Sequence, residues 1–382
     1  MSGVIRGTCY ALFAHDLALA INLDEAERLL APRPESTEHR EGMRGTRRSP
    51  KYFQFKPSPL RISTVATPID VGDHKTAHAV DAVLYDFGAV SITYSIPFEC
   101  SLDSLLRLSN ALYDNATLLA DARARAQRLL QTIAPALHRP NLSPLVEDYV
   151  VFHVQLPDAA SSTAGEHGTP SSFIERHRAI LAQILRAESG ELSPQEIEEA
   201  TASRTSYGPR DAAIVDWNGA ILLDPDPQDA HMALEFANVE LLEMRHLDDR
   251  LDAALDEAYE VLERDDRSRG SLMWRTFSRP FTSDLHRVSQ LQMESAMLFE
   301  GVNNAIKLLG DQYLARVYRY AAQRLHLPEW DASILRKLAT LESIYEKLSD
   351  RQANRRMEAL EWIIIALIAF EVVMSVIDRV RK

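Results

Sequence analysis

Asp224, Asp226, Asp229 and His231 place four groups of metal-ligand type within one short stretch, and Pro225 and Pro227 hold the intervening backbone extended. Carboxylates and an imidazole at such spacing suit a divalent cation that activates water, so Asp224, Asp226 and His231 define a metal-dependent hydrolase reading. The same acids stand just before a helical pattern, where carboxylates commonly cap the first turn and face the positive end of the dipole. Four residues beyond His231 lies Glu235, on the same helix face, without the second histidine of a zinc-protease motif. His153 sits in an apolar strand pattern, the setting of a hydrogen-bonded core histidine. Asp86-Phe87-Gly88 matches the magnesium-binding tripeptide of protein kinases, but no glycine-rich phosphate loop, strand lysine or His-Arg-Asp accompanies it, and a hairpin turn is expected. With 14 glycines in 382 residues, backbone phosphate cradles are not expected. No catalytic residue and no cofactor is assigned.

A second chemistry belongs to the basic segment. Arg40, Arg44, Arg47, Arg48, Lys51, Lys56 and Arg61 oppose one acid and are interleaved with Tyr52, Phe53 and Phe55. Cations beside aromatics could hold single-stranded RNA through phosphates and stacking. Arg44, Arg47, Arg48 and Lys51 are the candidate contacts to RNA or protein, the acidic helix Asp229 to Asp266 of a neighbouring subunit being one such protein surface; the competing reading is a solvated loop leading into a strand whose aromatics face the core. The net charge of −13 argues against general attraction to nucleic acid or anionic lipid.

The elements that position these groups follow from periodicity. Alternation from Ile5 to Phe13, from Tyr52 to Val65, from His78 to Phe98 and from Val150 to Leu156 predicts strands, and Asn218-Gly219 between two apolar runs predicts a hairpin. Helices are expected near Asp24–Leu30, from Ser101 to about Leu130 and over 171–187. A further one opens at Ser193-Pro194 with a serine cap. Beyond Asp229 the pattern is helical, with predicted helices over His231–Glu263, Phe281–Leu309, Gln312–Leu325 and Ala332–Val380. The fold class is therefore α+β: an N-terminal antiparallel sheet with helices on one face, then a long-helix C-terminal region ending in a hydrophobic helix. The domain reading is 1–156 as the α+β domain, 157–228 as linker, short helices and hairpin, 229–354 as a helical region, and 355–382 as the hydrophobic end.

In that last region Ile334, Leu338, Leu341, Tyr345 and Leu348 recur at spacings of four, three, four and three, a coiled-coil-like seam that predicts self-association into a homo-oligomer. Trp362, Ile363, Ile364, Ile365, Leu367, Ile368, Phe370 and Glu371 belong to an apolar run from Trp362 to Ile377, flanked by cations. It predicts a single C-terminal membrane pass with the preceding chain in the cytoplasm. Sixteen residues make roughly 24 Å of helix against a core of about 30 Å, and Glu371 sits inside the run, so a buried helix in an oligomer core is the competing reading. Cys9 and Cys100 are too few for a disulfide framework, and the N-terminus has no signal-peptide pattern.

The tail from Arg355 through Leu360-Glu361-Trp362-Ile363-Ile364-Ile365-Ala366-Leu367-Ile368 resembles the ending of the "required for meiotic nuclear division" family, also called domain of unknown function 155. Ala213–Gly219 with Asp224-Pro225-Asp226, and Val83–Val90, resemble two further segments of that family; Gln228–Met232 departs from its aromatic-rich helix start. The resemblance implies an α+β N-terminal part, a helical C-terminal part and a membrane-associated end, with support of translation in a mitochondrial member and no catalytic residues to carry over. Lacking a transit-peptide pattern, the chain is expected to be a bacterial or cytosol-facing member. The leading expectation is a non-enzymatic, membrane-anchored scaffold or tether that self-associates through its C-terminal helices; the alternative is an RNA- or ribosome-binding factor.

Overall fold

The computed structural model of the chain describes residues 4–31, 44–47, 57–156, 169–267, 291–293, 295–296 and 312–380. Two compact units are present: residues 1–246 with 297–330, and residues 247–296 with 331–382.

In the first unit the elements run β1 (Ile5–Asp16), β2 (Ala18–Ile21), α1 (Leu23–Leu30), β3 (Arg44–Arg47), β4 (Leu60–Val65), β5 (Asp70–Val71), β6 (His74–Lys75), β7 (Ala79–Leu84) and β8 (Ala89–Cys100). They continue with α2 (Leu102–Leu112), α3 (Ala116–Thr132), β9 (Leu137–Pro140), β10 (Glu147–Gln155), α4 (Pro170–Arg186), α5 (Pro194–Ala200), β11 (Arg204–Thr205), β12 (Ala212–Val215) and β13 (Gly219–Leu223). Beyond β13 come α6 (Gln228–Arg267), α7 (Gln312–Arg324) and α8 (Leu327–Val380), and the described residues between α6 and α7 are also helical.

Nine strands form one sheet in the order β11-β12-β13-β10-β1-β8-β7-β4-β3. Its centre is β1, antiparallel to β8 on one side and to β10 on the other. Both neighbours are long and alternate with β1 in register, which fixes which side chains share a face. β10 pairs with β13 in parallel, so the sheet is mixed rather than antiparallel as expected. Helices α4 and α5 lie between the two strands in sequence; a connection that carries helices is the usual way to join parallel neighbours.

One sheet face is apolar throughout. Cys9, Ala11 and Phe13 of β1, Ile92, Tyr94 and Ile96 of β8, and Phe152 and Val154 of β10 pack with Leu105, Leu108, Leu118, Ala122, Leu181 and Ile184 of α2, α3 and α4. The single helix expected to run from Ser101 to about Leu130 is two helices. Asp114 adopts φ 50 and Asn115 caps α3 by accepting from Leu118 N at 2.9 Å, which turns the chain back over the core. Ser193 caps α5, as the sequence suggests, and Ser101 caps α2.

The Asp86-Phe87-Gly88 tripeptide forms the β7–β8 turn. Gly88 has φ +110, and a Cβ there would meet the Ala18 carbonyl oxygen at 1.7 Å, so only glycine fits where β2 crosses the turn. Tyr85, Phe87 and Phe236 contact one another beside it.

The second unit contains the C-terminal part of α6 and most of α8. Leu247, Leu251, Ala254 and Ala258 of α6 are buried, as are Ile334, Leu338, Leu341, Tyr345 and Leu348 of α8. Lys337 Nζ joins the two helices through Asp248 at 2.7 Å and Asp252 at 2.6 Å. The seam expected to face a second copy is thus covered inside the chain. The C-terminal apolar run is the continuation of α8 rather than a separate element.

Candidate functional site

The face of the sheet opposite the apolar core carries the polar side chains. Register sets this pattern: Tyr10, Leu12, Ala14 and Asp16 of β1 lie opposite Ser95, Thr93, Ser91 and Ala89 of β8, and Tyr10, Leu12 and Ala14 lie opposite Val151, Tyr149 and Glu147 of β10. Asp81 of β7 continues the row from Thr93 and reaches Ser63 of β4, with Arg61 beside it. Helix α6 covers this face, so helices occupy both faces and not one. It does so with a polar stripe: His231, Glu235, Asn238 and His246, interrupted by Leu242, recur at helical spacing.

At the start of the stripe the His231 ring lies 4.6 Å from that of Tyr10. Its Nδ1 is buried without a hydrogen-bond partner, and burial pushes the imidazole below its ordinary range, with Glu235 opposing. One turn further, Glu235 is almost fully buried and accepts from Thr93 Oγ1 at 3.1 Å and from Arg61 Nη2 at 3.2 Å. Arg61 also pairs with Asp81 at 3.3 Å. Burial opposes the guanidinium charge, but Glu235 and Asp81 together hold it more firmly than usual.

In the middle, Asn238 Nδ2 donates to the Glu147 carbonyl at 3.2 Å. Glu147 pairs with Arg245. Burial raises its carboxyl to about 7, Arg245 pulling the other way and Asp148 reinforcing the rise.

At the far end His246 bridges two groups, with Nε2 3.2 Å from Asp16 Oδ2 and Nδ1 3.3 Å from Ser143 Oγ. A serine, a histidine and an aspartate in series have the composition of a nucleophilic triad. Here Ser143 is completely buried, and its Oγ accepts from Leu145 N at 3.2 Å. The series therefore fastens the 141–146 loop to α6 and the end of β1.

The acids proposed as metal ligands do not converge. Asp224 Oδ1 accepts from Asp226 N at 2.9 Å, and the Asp224 carbonyl accepts from His153 Nε2 at 2.9 Å, while His231 turns onto Tyr10. Among the described residues no group of three or more His, Cys, Asp and Glu is placed to hold a metal ion. Of the basic segment, Arg44 and Arg47 stand on the edge strand β3, Arg61 is committed to Asp81 and Glu235, and Arg48 and Lys51 lie outside the described residues.

The membrane reading is corrected. Among the described residues no helix is long and apolar enough to cross a membrane, which removes the C-terminal pass, the membrane partner and the membrane location. The physical reason is length and charge: Leu360 to Met374 is roughly 22 Å of helix against a core of about 30 Å, and Glu371 interrupts it. Trp362, Ile363, Ile364, Ile365, Leu367, Ile368 and Phe370 are nonetheless exposed, at 54 to 65%.

Sequence reasoning found His231 and Glu235 but stopped there. Continuing the same face gives Asn238 and His246, and that extension was the available signal. Nothing local in the sequence pointed to Ser91, Thr93 or Asp81, because alternation in a central strand does not say which face meets a polar helix.

Residues 6–230 match the family described as "Uncharacterized protein MJ0711, N-terminal domain". The match covers more than half of the chain, and the protein belongs to this family. A relative of that name from Methanocaldococcus jannaschii is 26% identical over 213 residues, 55% of this chain and 63% of the relative. The chain therefore spans less than two thirds of that relative's length. No solved structure matches. The resemblance to the meiotic nuclear division family is overturned by this assignment. Its most specific part, the tail, lies beyond residue 230, and an apolar run between arginines is a pattern that unrelated helices share.

Proposed function

We propose that this member of the MJ0711 N-terminal-domain family is a non-enzymatic scaffold that self-associates through the end of α8 and displays its sheet unit from that assembly. The observation that carries the reading is the stretch Leu360–Met374, in which every residue is exposed. Its large apolar side chains present on the order of 1,000 Å² of apolar surface, beyond the largest patch usual for a monomer and above the area per partner of a standard interface. Glu361 and Glu371 fall within an arc of about 80° of the helix, and Ile364 and Ile368 share that arc. A helix apolar around nearly its whole circumference is best covered by several like helices, which makes a second copy of this chain the fitting partner. The seam at Ile334, Leu338, Leu341, Tyr345 and Leu348 supports the assembly from within by stiffening the helix that carries the exposed end.

The test is native mass determination on the full chain beside a truncation ending at Arg356. The reading expects an oligomer for the full chain and a monomer with unchanged far-ultraviolet dichroism per helical residue for the truncation. A monomeric full chain at micromolar concentration overturns it.

A further inference from the structure

The exposed end of α8 has a preferred side. Leu360, Ile363, Leu367, Phe370 and Met374 recur at spacings of three, four, three and four, and each is large, apolar and exposed. They form a second heptad seam on the helix that carries the covered one. Neither Glu361 nor Glu371 falls on it. α8 runs as one helix from Leu327 to Val380, and at about 100° per residue the two seams point the same way to within about 40°.

That shared side decides the direction of a partner. Ile334, Leu338, Leu341, Tyr345 and Leu348 are all buried within the chain, in the stretch where Lys337 ties α8 to Asp248 and Asp252 of α6. A second α8 laid parallel and in step along the exposed seam would continue down the same side and meet that covered stretch. The chain itself already fills the space. A parallel copy would also set Glu361 level with Glu361 and Glu371 level with Glu371, like charge against like.

An antiparallel α8 meets neither obstacle, because only the free ends overlap. The apolar run from Leu360 to Ile377 maps onto itself when the helix is reversed about the point between Ile368 and Ala369. Val380 of one copy then lies level with Met357 of the other, about 13 Å beyond the covered Leu348. In the same register Ile363 lies level with Met374 and Leu367 with Phe370, the facing layers of a coiled coil. Glu361 and Glu371 lie level with Val376 and Ala366.

We propose that the partner at the end of α8 is a second copy of this chain running antiparallel, with Leu360, Ile363, Leu367, Phe370 and Met374 as the contact seam. This geometry rests on the self-association proposed above and adds to it a direction and a register.

Cysteine pairing tests the direction in the full chain. Cys9 is fully buried and Cys100 partly so, so Ile363→Cys and Met374→Cys are each made in a Cys100→Ser chain and oxidised, alone and after co-expression. In the antiparallel register the sulfurs introduced at 363 and 374 face each other within disulfide reach, whereas two at 363 lie about 16 Å apart along the axis. A covalent dimer is therefore expected only from the co-expressed pair. Covalent dimers from either variant alone, with native mass unchanged, overturn the antiparallel direction and leave self-association standing. A monomeric mass for the unaltered full chain overturns both. An oligomer in which no combination cross-links overturns the seam. Should a cysteine variant fall to monomer mass, a crystal structure of the unaltered chain decides: α8 ends crossing antiparallel at Leu367 and Phe370 sustain the proposal, and any other contact of that end overturns it.

Discussion

His15 and Glu147 make opposite demands on acid stability, and replacing His15 should expose the second of them. His15 is fully buried with neither ring nitrogen hydrogen-bonded. Burial, with Arg123 nearby, pushes its imidazole down from 6.5 to about 4. Below pH 6.5 the unfolded chain binds a proton that the folded chain refuses, so stability falls as pH falls through the window from 6.5 to 4. At 1.36 kcal/mol per unit, the loss between pH 7 and pH 4.5 is about 2.5 kcal/mol. Glu147 acts the other way. Its folded value near 7 lies above the ordinary 4.5, so the folded chain binds the extra proton and stability is gained as pH falls from 7 to 4.5. The gain is also about 2.5 kcal/mol.

In the unaltered protein these two terms nearly cancel between pH 4.5 and 6.5. His15→Gln removes the first and leaves the second, so the variant should become more stable on mild acidification by about 2.5 kcal/mol relative to its own value at pH 7. Glu147→Gln should do the reverse and lose a similar amount. Urea unfolding at half-unit steps from pH 4.5 to 7, with the slope of the denaturant dependence held common, measures both. If His15→Gln and the unaltered chain show parallel stability curves across that window, His15 does not titrate as a buried neutral group and the reasoning fails.

Other outcomes follow from single contacts. Arg61→Met removes the cation from a carboxylate that is 1% exposed on Glu235 and should cost about 3–5 kcal/mol, read by urea unfolding; restoration of stability in Arg61→Met with Glu235→Gln would locate the loss in that pair. Asp216 is completely buried between Arg186 at 2.7 Å and Arg324 at 3.5 Å, and Asp216→Asn should cost a similar ~3–5 kcal/mol; a loss below 1 kcal/mol would show that the arginines are stabilised elsewhere. Gly88→Ala meets the Ala18 carbonyl at a φ of +110 and should abolish accumulation of folded protein, which solubility on expression reports. Leu341→Ala in the covered seam should cost about 2–5 kcal/mol without changing native mass, since the exposed end of α8 carries the proposed assembly.

Where burial on one face decided the structure, the sequence was readable. The alternation of Ile5 to Phe13, the serine cap at Ser193 and the Asn218-Gly219 hairpin are local signals, and each appears where local chemistry put it. The parallel pairing of β10 with β13 was not readable, because it joins segments about seventy residues apart and leaves no mark on either. The apolar end of α8 misled for a related reason: hydropathy reports what a segment avoids, and an oligomer core and a bilayer are avoided by the same residues and sought by the same residues. Length and Glu371 were the only discriminators, and both weighed against a span.

The polar stripe of α6 shows how a weak pattern becomes strong through its partner. His231 and Glu235 one turn apart are a common accident of helix surfaces, and solvent is the ordinary neighbour for such a face. Here the neighbour is a buried sheet face that presents Tyr10, Thr93, Asp81, Ser91, Glu147 and Asp16 in matching order, and His231, Glu235, Asn238 and His246 each meet a group of that face. A sheet that needed only stability would meet α6 with leucine and valine, as its other face meets α2 and α3. Burying ions and amides instead gains little net free energy, but it tolerates only one register of helix on sheet. Any slip of α6 by one turn would move Glu235 away from Arg61 and Thr93 and leave its carboxylate buried without them, while Arg61 keeps Asp81, so the stripe holds α6 in one register on the sheet. If that view is correct, Arg61→Met should loosen amide-exchange protection along residues 231–246 more than it does in β1 or β8, and equal loosening in all three would refute it.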